Sequence, residues 1–337
     1  MKKLLIICLL VLPGITSLAQ QDPQFTMYMF NQQMINPAYV GARNALSING
    51  LYRNQWVSMP GAPETFNIGV HTPGDVNADF SRAAFGAVIF NDRISVFNQT
   101  GAYFQYAYRI PMDDQNRTIM SFGLQAGFVN FTANLSELNP RDGFTSDLSI
   151  SQDIRNAFLP QFGFGAYLMS DKYYAGFSIP HLIQNKYDRE AVTTNNQEVA
   201  RQLRHYFLMG GYVFDLGTNF KLRPQMIAKY VFNSGKNIRS PLSMDYNLSL
   251  IVMDRFNIGA SFRTNTNALS SDLTSRSDAV SIILETQVTK NLRMGYAYDY
   301  NLSELSAYND GTHEIMIGYD FSQAIKAFAT PRFIRYF

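Results

Sequence analysis

From Asn291 to Leu302 the chain alternates without a break. Leu292, Met294, Tyr296, Tyr298, Tyr300 and Leu302 fall on one face, and Asn291, Arg293, Gly295, Ala297, Asp299 and Asn301 fall on the other. Successive side chains of a β-strand point to opposite sides, so this segment is a ribbon with one oily face and one polar or small face. The same rhythm recurs. Met120, Phe122, Leu124, Ala126 and Phe128 oppose Ser121, Gly123, Gln125 and Gly127. Phe220, Leu222, Met226, Ala228 and Tyr230 oppose Lys221, Arg223, Gln225 and Lys229. Residues 256–263 and 314–321 repeat the pattern, with Arg263 and Glu314 on the polar side. A period of two sustained over so many segments requires an all-β fold.

Alternation alone does not separate a soluble sandwich from a membrane barrel. Three further features favour the barrel. The polar faces carry many glycines and several charges, while the apolar faces are large and aromatic. Aromatic residues close the apolar faces at Tyr108, Phe232, Tyr300 and Phe321, where headgroup-level girdles would sit. Connection lengths also alternate. About fourteen candidate strands fall at 44–54, 64–71, 82–91, 98–109, 117–131, 159–169, 172–180, 203–215, 219–232, 241–252, 255–264, 278–288, 291–302 and 313–321. Every second connection is mostly tight, with 72–81 the exception, and most of the others are longer. The expectation is a transmembrane, outer-membrane antiparallel β-barrel over 44–321 with its short turns in the periplasm. Inside lipid, every backbone N–H and C=O must be paired within the protein, and a sheet achieves this only by closing on itself. Fourteen strands enclose more room than the eight of small barrels, so either a polar channel remains or loops or the N-terminal segment fill it.

Composition agrees. Aromatic residues make up 14% of the 337 and charged residues only 16%, against about 25% charged in ordinary soluble domains. Residues 1–19 have a basic start, the apolar run Leu4–Leu12 and a small-x-small end at Ser17-Leu18-Ala19, the form of a secretory signal peptide cut after Ala19. That apolar run is too short to span a bilayer. The single cysteine, Cys8, lies in this leader, so the mature chain is expected to hold no disulfide and no cysteine-ligated metal. Without Lys2 and Lys3 the balance is 26 basic to 26 acidic residues, which argues against a nucleic-acid partner. Outer-membrane lipid is the expected surrounding.

Few residues suggest catalysis. His71, His181, His205 and His313 stand apart, with no metal-binding or nucleophile motif around them, so an outer-membrane lipid hydrolase is a reading that nothing specific supports. Asp142, Asp147 and Asp153 share the span 132–158 but lack the calcium-loop series. No cofactor is expected. The residues expected to face the lumen are Arg53, Lys221, Arg223, Lys229, Arg263, Arg293 and Asp299, with Asp215, Asp245, Glu285, Glu314 and Asp320 as further acidic partners. They form either a network of ion pairs bracing the interior or the wall of a pore or binding channel. On this assignment Tyr296→Arg and Ile317→Arg should be costly, and the inward Ala297→Arg better tolerated.

The segment Gln21–Ala42, QDPQFTMYMFNQQMINPAYVGA, carries large apolar anchors that a free tail would not need: Phe25, Tyr28, Phe30 and Tyr39. Asn36-Pro37 favours a turn, and Gly41 can take positive φ just before the first strand. Gln21-Asp22-Pro23-Gln24-Phe25, Phe30-Asn31 and Ile35-Asn36-Pro37-Ala38-Tyr39-Val40-Gly41 resemble the start of the mature PorP/SprF family, found with the type IX secretion system of Bacteroidetes. Tyr52-Arg53-Asn54-Gln55-Trp56 is similar to that family's Arg-x-Gln-Trp, and the closing run Pro331–Phe337 looks like family tails. The resemblance implies an outer-membrane barrel beside the secretion apparatus. It would deliver or hold partner proteins at the cell surface, among them adhesins of gliding motility, and would carry no catalytic residues. Its expected partners are a secreted or surface-anchored client and periplasmic and outer-membrane secretion components. Residues 20–43 are then expected to form a periplasmic or plug segment that caps the barrel, docks a partner or both, with Phe25, Tyr28, Phe30, Asn31, Asn36, Pro37, Tyr39, Gly41 and Trp56 as its key positions. Residues 322–337 would be a periplasmic tail. The competing function is a porin or hydrophobic-solute transporter.

Overall fold

A computed structural model describes residues 23–75, 80–137, 153–185, 202–232, 242–266 and 277–321. The expected leader (1–19) and tail (322–337) lie outside the described residues. Three short helical turns come first, at Tyr28–Phe30, Gln32–Ile35 and Pro37–Tyr39. The strands follow: β1 (Leu46–Asn54), β2 (Glu64–Pro73), β3 (Ala83–Ile94), β4 (Phe97–Pro111), β5 (Ile119–Ala133), β6 (Ile154–Met169), β7 (Tyr173–Ile179), β8 (Arg204–Tyr212), β9 (Phe214–Asp215), β10 (Phe220–Phe232), β11 (Leu242–Val252), β12 (Phe256–Thr266), β13 (Ser277–Gln287), β14 (Leu292–Asn301) and β15 (Thr312–Phe321).

Each strand pairs antiparallel with its neighbours in sequence, and β1 pairs with β15, which closes the ring. β8 and β9 are two pieces of one strand. Gly211 opposes Gln225 and Phe214 opposes Leu222 on β10, so the register is unchanged across the break. The gap begins where Tyr212 comes across from Pro224, which has no N–H to give to a ladder. The barrel therefore has fourteen antiparallel staves, as the alternation predicts.

One end of the barrel, the turn end, carries mostly short connections. Among them are 170–172 and the Met253-Asp254 turn, where both central residues have φ +53°, the conformation that matches hairpin twist. The other end, the loop end, carries 134–153 and 180–203. The third connection departs from expectation. β3 and β4 run on to Ile94 and Phe97 and meet through Ser95-Val96 alone. Polar pairs carry them there: Asn91 Nδ2 donates to Asn98 Oδ1 (2.8 Å) and Thr100 Oγ1 (2.7 Å). β4, β5 and β6 have 15, 15 and 16 residues, more than the roughly 9–11 that cross a bilayer.

The two faces are inside out relative to a soluble sandwich. Phe104 is 73% exposed, Ile89 60% and Leu124 58%, whereas Asn49, Gln105, Gln125, Ser249 and Asn257 are buried. Such a wall is stable only where its surroundings are apolar. Tyr108, Tyr300 and Phe321 are exposed at strand ends as expected, and the side chain of Phe232 lies outside the described residues. Among the described residues no helix is long and apolar enough to cross a membrane.

Candidate functional site

Residues 23–43 lie inside the ring of strands, and nearly all of them are buried. Local chemistry shapes the segment. Asn36 is extended (φ −133°, ψ 110°), as the residue before proline must be. Its Oδ1 accepts the Ala38 N–H at 2.9 Å, and Pro37 opens the following turn, where its missing N–H costs nothing. Gly41, at φ +80°, turns the chain towards β1 in a left-handed conformation that other residues seldom adopt.

The chain's first described residues sit towards the loop end. Thr26 meets Arg53, Asp299 and Glu314, all near the loop-end termini of β1, β14 and β15. Gln33 and Asn36 lie deeper, and Arg43 reaches the turn end at Asp320. The segment descends the lumen before β1 climbs back. Hydrophobic periodicity reports faces and says nothing of depth, which is why this was not legible.

Three groups of polar contacts hold the segment. At the loop end, the backbone N–H groups of Thr26 and Met27 donate to the Glu314 carboxylate at 3.0 and 2.7 Å, and Thr26 Oγ1 donates to Asp299 at 2.7 Å. Arg53 binds Asp299 (2.8 Å), Glu314 (2.6 Å) and Thr26 Oγ1 (2.9 Å), and Arg263 reaches the same hydroxyl at 3.1 Å. In the middle, Gln33 Nε2 donates to Val70 O, Ala87 O and Gln105 Oε1, and Gln105 Nε2 returns a bond to Gln33 O. Asn36 Nδ2 donates to Ala166 O and Phe177 O, and Ser178 Oγ donates to Ile35 O. At the turn end Arg43 pairs with Asp320 (3.0 Å), Arg109 donates to Asn44 Oδ1 (2.6 Å), and Gly41 N–H donates to His71 Nδ1 (3.3 Å).

Apolar packing fills the space between. Phe25, Tyr28, Phe30 and Tyr39 form one cluster with Met27, Met29 and Ile35 and with wall residues such as Tyr167, Phe207, Met209 and Ile227. Tyr39 stands edge-on to His71 and Tyr167 at 5.5 and 5.6 Å. The inward glycines, unexplained by strand propensity, make room for this segment. A Cβ on Gly123 would come within 2.2 Å of Ala38 N, one on Gly165 within 2.0 Å of Asn36 Oδ1, and one on Gly69 within 2.5 Å of Gln33 Oε1. Beside Pro23, Phe25 and Tyr28 a small recess of about 40 Å³ opens among Phe90, Tyr103, His181 and Phe207.

Most of the expected lumen set faces inward. Arg53, Arg223, Lys229, Arg263, Arg293 and Asp299 are buried. Lys229 and Arg263 share Asp245 at 2.9 and 2.8 Å. Arg263 lies 3.7 Å from Asp299, Arg293 lies 3.8 Å from Asp320, and Arg223 sits over the Phe30 ring at 5.5 Å. Lys221 instead pairs with Asp254 at the turn end, and Asp215 is exposed at the rim, where it pairs with Lys172. Asn31 and Pro37 are buried with the segment, but Trp56 is not. It is half-buried in the first loop-end connection at φ 51°, and its backbone N–H donates to Thr312 Oγ1. Ala297 faces inward but is packed in the segment's apolar cluster, so the expectation that arginine is tolerated there fails. Thr26, Gln33, Arg43, Gln105 and Arg109 were missed. The pair Gln32-Gln33 inside an aromatic segment, and Gln105 facing Gln125 across β4 and β5, were the available signals.

The histidines occupy separate strands or loops: His181 Nδ1 meets Gln161, His205 Nδ1 meets Leu203 O, and His313 meets the Tyr296 hydroxyl. Asp142 and Asp147 lie outside the described residues, and Asp153 accepts the Ser136 N–H. Among the described residues no cluster of His, Cys, Asp or Glu is placed to hold a metal.

The barrel is similar in shape to several solved structures. The toluene transporter TbuX of Ralstonia pickettii is 11% identical, with a TM-score of 0.47 over 87% of this chain and 94% of that one. The CymD monoaromatic hydrocarbon channel is 11% identical, with a TM-score of 0.46 over 87% and 93%. The KdgM porin is 8% identical, with a TM-score of 0.36 over 82% and 99%. No curated protein matches the chain. A family model described as "Type IX secretion system membrane protein PorP/SprF" matches residues 17–319.

Proposed function

The chain belongs to the PorP/SprF family of type IX secretion system membrane proteins, and on that footing we propose that it is a non-enzymatic outer-membrane barrel that assists export or surface anchoring of a partner protein. An adhesin-like client of the gliding system is the partner class, with periplasmic and outer-membrane secretion components as neighbours. The observation that carries this reading beyond the family is the occupied lumen. Residues 23–43 take up the interior that a diffusion porin keeps for solute. That weighs against the alternative, a porin or hydrophobic-solute transporter. The segment then serves as a plug.

The test is a gene deletion scored for client display. Surface client, measured by antibody on intact cells, should fall severalfold while uptake of small solutes stays unchanged. Undiminished display, or a solute-uptake defect with normal display, would overturn the proposal. Genome neighbourhood offers a cheap companion, since a nearby gene for a large adhesin would name the client.

A further inference from the structure

We infer that residues 23–43 are a displaceable gate and that the barrel conducts water and small ions once they leave the lumen. The inference rests on the membrane-barrel reading above and not on the identity of any client. The strand ladder closes through β1 and β15 without the segment. Each hydrogen bond between segment and wall described above uses at least one side chain, so leaving would break no strand pairing. The wall behind it carries apolar side chains such as Tyr167 and Ile227, with hydrophilic and small positions between them. Ser47, Asn49, Gln105, Ser121, Gln125 and Ser178 face inward beside Gly123 and Gly165. Uncovered, these groups would be solvated, and the space would hold water rather than collapse.

The gate is also firmly shut. Phe25, Met27, Tyr28, Met29, Phe30, Ile35 and Tyr39 are all buried against the wall, and moving them into water is unfavourable for each. Opening therefore needs a partner that offers these side chains another apolar surface, and thermal motion alone leaves the pore silent.

Two variants test this in planar bilayers with the purified mature protein. Leucine at both Gly123 and Gly165 would place side chains where Ala38 and Asn36 now lie, and so evicts the segment without touching the ladder. Folding is checked by heat-dependent mobility on gels. Folded G123L/G165L barrels should spend at least tenfold more time open than the parent protein. Folded barrels as silent as the parent overturn the inference. The second variant covers the case in which the leucines block assembly. The sequence has no cysteine beyond Cys8, so Asn36→Cys with Gly165→Cys creates a single pair at the segment–wall contact. The two substitutions remove the Asn36 amide bonds to Ala166 O and Phe177 O and add a side chain at Gly165, which loosens the segment. The reduced protein should therefore open more often than the parent, and the oxidised protein should stay silent. Equal conductance in both redox states overturns the inference. Client display in the deletion strain is a separate readout, so failure of the gate and failure of the secretion role are distinguishable.

Discussion

Replacing Arg53 by alanine probes the charge cluster at the head of the segment. The guanidinium sits between Asp299 at 2.8 Å and Glu314 at 2.6 Å, and its side chain is 2% exposed. Removing it leaves two buried carboxylates facing each other. Breaking a buried pair by deleting one partner costs about 3–5 kcal/mol. The loss here should lie in the lower half of that range, because both acids keep other donors. Asp299 retains Thr26 Oγ1 and Arg263, and Glu314 retains the Thr26 and Met27 N–H groups. Adding Glu314→Ala should recover part of the loss, with a coupling of about 1–3 kcal/mol in a double-mutant cycle. The chain provides its own reporter. Trp56 is the only tryptophan, three residues from Arg53, and its fluorescence during urea unfolding in lipid vesicles follows this end of the barrel. A loss below about 0.5 kcal/mol with no coupling would refute the claim that the cluster is a buried, interdependent unit.

Ile317→Arg on the outward face should cost about 2–4 kcal/mol or block insertion, read by the fraction folded in vesicles. Ala297→Arg should be at least as costly, because Ala297 is fully buried beneath the segment and the new charge would be both overpacked and unpaired; ready folding of that variant would contradict the filled lumen. Gly41→Ala should lose about 1–3 kcal/mol to left-handed strain, since its φ is +80° and its Cβ would stand 2.5 Å from that of Ala84; urea unfolding checks it. The Asp113 carboxyl is held below the usual carboxylate range by the Arg117 N–H first, with Thr118 and Gln115 adding to it. Its contribution to the 112–118 turn is therefore present above the unfolded value and fades as pH falls through the lower folded one. NMR titration should place its midpoint below that of the same aspartate in the unfolded chain, and Asp113→Asn should remove the pH dependence of the turn's amide shifts.

The barrel was legible because its outward and inward faces are set by neighbouring residues, and a period of two survives any tertiary arrangement. Rims were less legible. Asp92 and Arg93 read as a loop by composition, yet Asp92 accepts from Thr65 and Arg93 pairs with Glu64 on β2, while Asn91 bonds across the β3–β4 hairpin, and these polar pairs carry the strands beyond the apolar belt. Phe25, Tyr28, Phe30 and Tyr39 announced an ordered segment, because exposed aromatics at that density would be unstable in water. Its binding partners were not announced. Thr26 meets groups 273 and 288 positions away, and no local pattern encodes such distances. The inward glycines were visible in the sequence, but their purpose appears only when the atoms they leave room for are in place.

The downward course of the segment fixes where a handle on the protein would emerge. A peptide fused to Pro23 starts at the end of the barrel that bears the long connections. Three extended residues reach about 10 Å, whereas β1, with nine residues, measures on the order of 30 Å. A short epitope placed there is displayed alongside those connections, whichever compartment they face. A label meant for the opposite compartment belongs in the 112–118 turn instead.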